Sequence, residues 1–213
     1  MSPTTRSLSR KSLIALFFSV TIAAAFIITY KASDYARYWV NDIVVSRNIQ
    51  AVAMGSSSIR SLPLDLFDQC PGLVRRGFGG GTLGHLSLYL DYSFLPADLN
   101  WVLLYAGEND IVYGTSVESA IHQFNVLSDR LTERFPEARV VIIKPKLAPA
   151  RSDFHAKLRL LNERLDSLES HPKIMVIDSP LADEVLPKYY LADGVHLTRE
   201  GYQVFLQEAP KEC

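Results

Sequence analysis

From about Asn48 onward the chain alternates short, continuous apolar runs with longer stretches of helical period, and this alternation constrains its fold more than any other feature. The runs Ile49–Met54, Leu73–Arg76, Trp101–Ala106, Val140–Lys144 and Ile174–Asp178 read as strands. The last three are unbroken Val/Ile/Leu-type segments, the pattern of strands buried on both faces of a parallel sheet. Between them Val117, Ile121, Phe124, Leu127, Leu131 and Phe135 recur every three or four residues, as do Phe154, Leu158, Leu161, Leu165 and Leu168. Each series makes one apolar stripe on a helix. Parallel strands joined by helices require right-handed crossovers, so the expected fold is α/β, a doubly wound three-layer α/β/α sandwich around a five-stranded parallel sheet. With 213 residues, 48% of them hydrophobic and 21% charged, the chain can bury a full core.

The N-terminus is different in kind. Ser12 to Tyr30 carries no charge, and Arg6, Arg10 and Lys11 precede it. That length suits a bilayer-crossing helix, and the basic flank favours keeping residues 1–11 cytoplasmic with everything after Lys31 on the far side. The expected organisation is a cytoplasmic N-terminus (1–11), a transmembrane signal anchor (12–30), a juxtamembrane connector (31–47) and a catalytic domain (48–213), placed extracytoplasmically. Tyr35, Tyr38 and Trp39 in the connector suit an interfacial belt. A cleaved signal peptide, which would leave a secreted or periplasmic protein, is the rival. It is disfavoured because Ala23, Ala24 and Ala25 lie inside the apolar run rather than after it. A buried core helix is the third reading, weakened by the lack of any polar face.

Charge is nearly balanced, 22 Lys and Arg against 23 Asp and Glu, so no basic field points to nucleic acid. Cys70 and Cys213 are the two cysteines, and neither sits at metal-ligand spacing. No metal or cofactor is implied. The pair can form a disulfide in an oxidising compartment, although a buried thiol at Cys70 and a frayed terminal Cys213 is the simpler expectation.

In a sheet of this kind ligands bind beyond the carboxyl ends of the strands. The segments that follow the strands are Gly55-Ser56-Ser57-Ser58, Gly77-Phe78-Gly79-Gly80-Gly81-Thr82, Gly107-Glu108-Asn109-Asp110 and, beyond the fifth, Asp193-Gly194-Val195-His196. A serine hydroxyl needs an imidazole to take its proton as it attacks, and the imidazole works better when a carboxylate fixes its tautomer. His196 and Asp193, three apart on a loop, fit those roles. An oxyanion formed at the serine needs preorganised donors.

Together, in order and spacing over about residues 49–205, the four segments resemble the sequence blocks of the SGNH/GDSL hydrolase family. The resemblance implies a flavodoxin-like strand order 2-1-3-4-5 and ester hydrolysis by a serine nucleophile. It maps the nucleophile onto Ser57, the remaining triad members onto Asp193 and His196, and the oxyanion donors onto the Ser57 and Gly80 backbone and the Asn109 side chain. Ser56 departs from the Asp usual at its position.

Each residue also has a bland reading. The Ser56–Ser58 run alone is a helix-capping turn, and only the block alignment selects Ser57 over its neighbours. Asp193-Gly194 alone is a turn, His196 a loop histidine, and Asn109-Asp110 an Asx turn. His85, His122, His155 and His171 read as surface or core. Lys144 and Arg151 read as solvated loop charge, and Glu108 as facing away from the site. Gly79-x-Gly81-x-x-Gly84 matches a dinucleotide fingerprint, but a strand with its own serine turn precedes it and the motif leaves Asp193 and His196 unexplained. Ile59 excludes the Gly-x-Ser-x-Gly elbow of α/β-hydrolases. The leading expectation is hydrolysis of a carboxylic ester, the substrate an acylated envelope saccharide, a lipid or a small acyl ester. Acyl transfer to an extracytoplasmic glycan or polymer is second, and a non-catalytic binding module third.

Overall fold

The structure is a computed structural model that describes residues 10–45, 48–170 and 172–213. His171 and the first nine residues lie outside the described part. In chain order the helices are α1 (Arg10–Ala32), α2 (Asp34–Val45), α3 (Ser57–Arg60), α4 (Leu83–Tyr92), α5 (Glu108–Val112), α6 (Val117–Arg134), α7 (His155–Leu165), α8 (Pro180–Asp183) and α9 (Arg199–Phe205). The strands are β1 (Ala51–Gly55), β2 (Leu73–Gly77), β3 (Trp101–Tyr105), β4 (Arg139–Ile143) and β5 (Ile174–Ile177). They form one parallel sheet in the order β2-β1-β3-β4-β5, as the resemblance implies.

Period-two alternation decides which helix lies on which face. Val52, Met54, Val102, Leu104, Val140 and Ile142 point to a layer made by α4, α6 and α7. Ala51, Ala53, Leu103, Tyr105, Val141 and Ile143 point to the opposite layer, with Ile59, Leu181, Tyr202 and Phe205 from α3, α8 and α9. Every residue of β1 and β3 is buried, which is why these strands read as continuous apolar runs. The stripe expected on residues 117–135 is the buried face of α6, where Phe124, Leu127 and Leu131, with Phe135 just past its end, have no exposed surface. Ser116 caps that helix by accepting from Ser119 N.

The segment read as a connector is docked on the domain. Asp42 of α2 is fully buried and accepts from Arg76 Nε at 2.8 Å, while the Tyr89 hydroxyl donates to its other oxygen at 2.5 Å. Tyr38 donates to Gly77 O at 2.8 Å, and the Tyr35 ring lies 4.5 Å from that of Phe78. Removing either partner of the buried Asp42–Arg76 pair alone would cost about 3–5 kcal/mol, because the other charge would be left buried without its counterion.

Two expectations change. The single span over 12–30 is not found in that form: among the described residues no single helix is long and apolar enough to cross a membrane. Phe17–Thr29 qualifies only together with Asp34–Val44, across a bend of 102°. Second, Cys70 and Cys213 are joined in a disulfide rather than free. The tail that carries Cys213 is brought back under the sheet, where Trp101 Nε1 donates to Glu212 O at 2.7 Å.

Candidate active site

Ser57 is placed by the end of β1. Ser56 leaves the strand in extended geometry, its N–H donating to Tyr105 O at 3.2 Å, and Ser57 opens α3. The Tyr202 hydroxyl donates to Ser58 O at 2.7 Å and ties α3 down. Burial separates the three serines. Ser56 and Ser58 are 3% and 1% exposed, whereas Ser57 is half-buried with its hydroxyl 2.9 Å from His196 Nε2. Ambiguous in the sequence, the run presents one serine in the structure.

His196 and Asp193 sit on a clamped turn after β5. Leu191 N donates to His196 O, Gly194 N donates to Leu191 O, and Tyr190 bridges Leu197 in antiparallel fashion. Gly194, at φ +65, supplies the left-handed residue that lets the chain reverse. Asp193 Oδ2 lies 2.6 Å from His196 Nδ1, and its Oδ1 accepts from the Val195 and His196 N–H groups at 2.9 Å each. The hydrogen bond to His196, then those two backbone donors, hold the Asp193 carboxyl well below the usual carboxylate range. Nδ1 next to the carboxylate leaves Nε2 for the Ser57 proton, so the row Ser57–His196–Asp193 can deprotonate the serine as it attacks.

Gly80 lies in the tight turn after β2, at φ +65. A side chain there would be strained, and its Cβ would come within 2.8 Å of the Tyr113 hydroxyl. Asn109, 3% exposed, donates one amide hydrogen to Gly81 O at 2.9 Å, which orients the amide and keeps its second hydrogen for another acceptor. Asp110 braces the same two loops by accepting from Leu83 N at 3.1 Å and Gly107 N at 3.2 Å. Burial pushes its carboxyl up, against the pull of those backbone bonds. This brace also disposes of the dinucleotide reading, because the α4 N-terminus that a pyrophosphate would approach is already occupied by the Asp110 carboxylate.

The site is open. The His196 and Asp193 side chains are 36% and 49% exposed, and a shallow depression of about 440 Å³ lined by Ser61, Pro63, Leu191, His196, Leu197, Arg199 and Tyr202 adjoins His196. Larger depressions, such as that of about 630 Å³ between Arg37, Asn48, Pro71 and Arg76, include none of Ser57, Asp193 and His196. Among the described residues no group of three or more His, Cys, Asp or Glu side chains could hold a metal ion.

Two charged residues, Lys144 and Arg151, are paired where solvated loop charge was expected, and Glu108 faces away from Ser57 as expected but into the interior. Lys144 pairs with Asp166 and Asp178, each at 2.7 Å, instead of standing free in solvent. Glu108 is buried and turned toward Lys146, with Arg151 beside it. Nothing in the sequence marked Lys146, because the KPKLAPAR stretch has neither strand nor helix period. Of the histidines, His85 takes part with Thr82 in capping α4, His122 is exposed, and His155 bonds Ala148 O.

Among solved structures, a protein provisionally described as a platelet activating factor from Streptococcus pneumoniae superposes with a TM-score of 0.74 at 18% identity, covering 89% of this chain and 95% of that one. A GDSL-like lipase from Bacteroides thetaiotaomicron gives 0.67 at 21% identity, covering 82% and 96%. A carbohydrate esterase family 3 protein from Talaromyces cellulolyticus gives 0.61 at 15% identity, covering 75% and 93%. At these identities the likeness is one of fold. Comparison with curated proteins gives no match of significance. The sequence itself matches the GDSL-like Lipase/Acylhydrolase family over residues 55–204, which takes in all four strand-end segments, and the chain therefore belongs to that family of ester-bond hydrolases.

Proposed function

We propose that the protein hydrolyses carboxylic esters through an acyl-enzyme at Ser57, with His196 as general base and acid and Asp193 as the carboxylate that orients it. The observation that carries this reading is the continuous row from Ser57 Oγ to His196 Nε2 at 2.9 Å and from Nδ1 to Asp193 at 2.6 Å, at the carboxyl edge of the sheet. Ser57 Oγ attacks the ester carbonyl while its proton passes to His196 Nε2. The oxyanion forms among the N–H groups of Ser57 and Gly80 and the free amide hydrogen of Asn109. Collapse expels the alcohol, which takes the proton from His196, and water activated by the same imidazole then releases the acid.

The exposure of His196 and Asp193 leaves the acyl-enzyme accessible to water, which favours hydrolysis over transfer to another acceptor. The depression beside His196 is the proposed place of the acyl group, a short one because no enclosed channel adjoins it, and the open edge suits a bulky alcohol such as a glycan or lipid. Turnover of p-nitrophenyl acetate well above that of the palmitate, abolished in Ser57→Ala, is the expected result. Equal rates for wild type and Ser57→Ala would overturn the assignment, and dominant transfer to a modest concentration of polyol would replace hydrolysis with acyl transfer.

For location, the reading is a domain on the outer side of a membrane, with the apolar N-terminal segment as its point of attachment. Arg6, Arg10 and Lys11 precede the apolar run, Phe17, Phe18, Ile22 and Ile28 are more than half exposed, and the Cys70–Cys213 disulfide suits an oxidising compartment. Carbonate-resistant association with membranes is expected. Release of a form lacking residues 1–30 would replace the anchor with a cleaved signal peptide.

A further inference from the structure

The interior behind the proposed active edge contains a charge cluster that the chemistry above does not use. Glu108 is 2% exposed and Lys146 is fully buried, with 2.6 Å between Oε2 and Nζ. The same oxygen accepts from the Tyr105 hydroxyl at 2.6 Å. Glu108 Oε1 lies 2.9 Å from Arg151 Nη1. Taking such charges out of water is expensive, and apolar residues of similar size are often as stable in their place, so stability alone is a weak reason for the cluster.

Its location gives a better one. Glu108 immediately precedes Asn109, the proposed oxyanion donor, in the first turn of α5 just after β3. Lys146 and Arg151 bracket the loop after β4, whose Ala150 N–H donates to Gly194 O at 3.1 Å, between Asp193 and His196. The Tyr190 hydroxyl donates to Leu147 O in the same loop, just before the Asp193–His196 turn. One carboxylate therefore joins the oxyanion side of the site to the acid–base side, through a loop that touches both. We infer that Glu108, Lys146 and Arg151 form a positioning brace that keeps Asn109 and the Asp193–His196 turn in register across the Ser57 hydroxyl.

The charges are consistent with such a brace. Burial raises the Glu108 carboxyl, but Lys146, Arg151 and the hydrogen bonds from Lys146 and Tyr105 outweigh it and hold the group below its usual range, so it stays ionised. Burial draws Lys146 down, with Glu108 pulling the other way. One anion faces two cations. Removing the anion leaves both cations unneutralised, whereas removing Lys146 leaves Glu108 and Arg151 balanced.

The brace rests on the proposed serine chemistry, and the test keeps the two apart. Full-length wild type, Glu108→Gln, Lys146→Met and the double variant are compared for fold by near-ultraviolet circular dichroism, for kcat and KM with p-nitrophenyl acetate, and for the rate of phosphonylation by a fluorophosphonate. Folded Glu108→Gln is expected to lose about 10- to 100-fold in kcat and in phosphonylation rate, with KM within about threefold. Lys146→Met is expected to lose less, and the double variant to recover at least about fivefold over Glu108→Gln. A folded Glu108→Gln within threefold of wild type, a loss confined to KM, or a double variant no better than the single one would overturn the brace. If Glu108→Gln does not fold, Arg151, which is partly accessible, decides: Arg151→Gln should slow phosphonylation at least fivefold and Arg151→Lys restore it, and wild-type behaviour of Arg151→Gln would overturn the brace. A wild type that is never phosphonylated would overturn the serine assignment, and the brace with it.

Discussion

Asn109→Ala separates a catalytic donor from a structural amide. In the structure the side chain is almost fully buried and spends one hydrogen on Gly81 O, which leaves the second for the oxyanion proposed above. Removing one oxyanion donor lowers kcat by about 10²- to 10³-fold, or roughly 2.7–4 kcal/mol of transition-state stabilisation. Losing the bond to Gly81 and desolvating its carbonyl costs about 1–3 kcal/mol of stability. For a chain of this size that lowers Tm by about 2–12 °C, at roughly 2–4 °C per kcal/mol. Kinetics at 20 °C on protein verified as folded therefore read the catalytic effect separately. The loss should fall on kcat with KM nearly unchanged, because the donor acts on charge present only in the transition state. Asn109→Asp should be worse, since a carboxylate would face both Gly81 O and the forming oxyanion. An Asn109→Ala enzyme within threefold of wild-type kcat/KM would refute the donor role.

Other outcomes follow from the same geometry. Because hydrogen bonds from the His196 ring and from the His196 and Val195 backbone hold the Asp193 carboxyl below its usual range, it stays anionic where an ordinary carboxyl begins to protonate. The activity deficit of Asp193→Asn, expected at about 10- to 10³-fold, should then be constant from pH 5 to 8; a deficit that vanishes at pH 5 would mean Asp193 has already protonated. Gly80→Ala must adopt φ near +65 and crowd Tyr113, at a cost of about 1–2 kcal/mol, so both Tm and kcat should fall, and unchanged kinetics would show that this turn does not shape the oxyanion site. Replacing both Cys70 and Cys213 by Ser opens a closure between residues separated by 143 in sequence and should cost about 3–5 kcal/mol while leaving kcat intact, because the bond lies at the sheet edge opposite Ser57; a lost kcat in folded protein would contradict that placement. Asp42→Ala should strip the neutralising partner from Arg76 and make α2 the first site of limited proteolysis, whereas protection equal to wild type would show that α2 docks without the pair.

The sheet was legible because its strands are buried on both faces and their composition says so. The edge proposed to carry the chemistry stood out for the same reason, since glycine and polar clusters interrupt apolar runs where the strands end. Ser57 itself was not singled out by its neighbours. Only burial and the His196 distance separate it from Ser56 and Ser58, and neither quantity is local in sequence. Lys146 was missed, and Lys144 and Arg151 were read as solvated, because ion pairs between distant residues leave no periodic trace. The disulfide was open on the same ground, its partners being brought together by the sheet and not by spacing. The docking of α2 turns on Asp42 meeting Arg76 and Tyr89, in a segment whose mixed polar and aromatic composition reads as a linker.

The most direct measurement is the site of covalent modification by a fluorophosphonate, read by intact mass and peptide mapping on the folded full-length protein. A single adduct on Ser57 is expected, absent in Ser57→Ala and formed much more slowly in His196→Ala. An adduct on Ser56 or Ser58, or none on folded wild type, would contradict it.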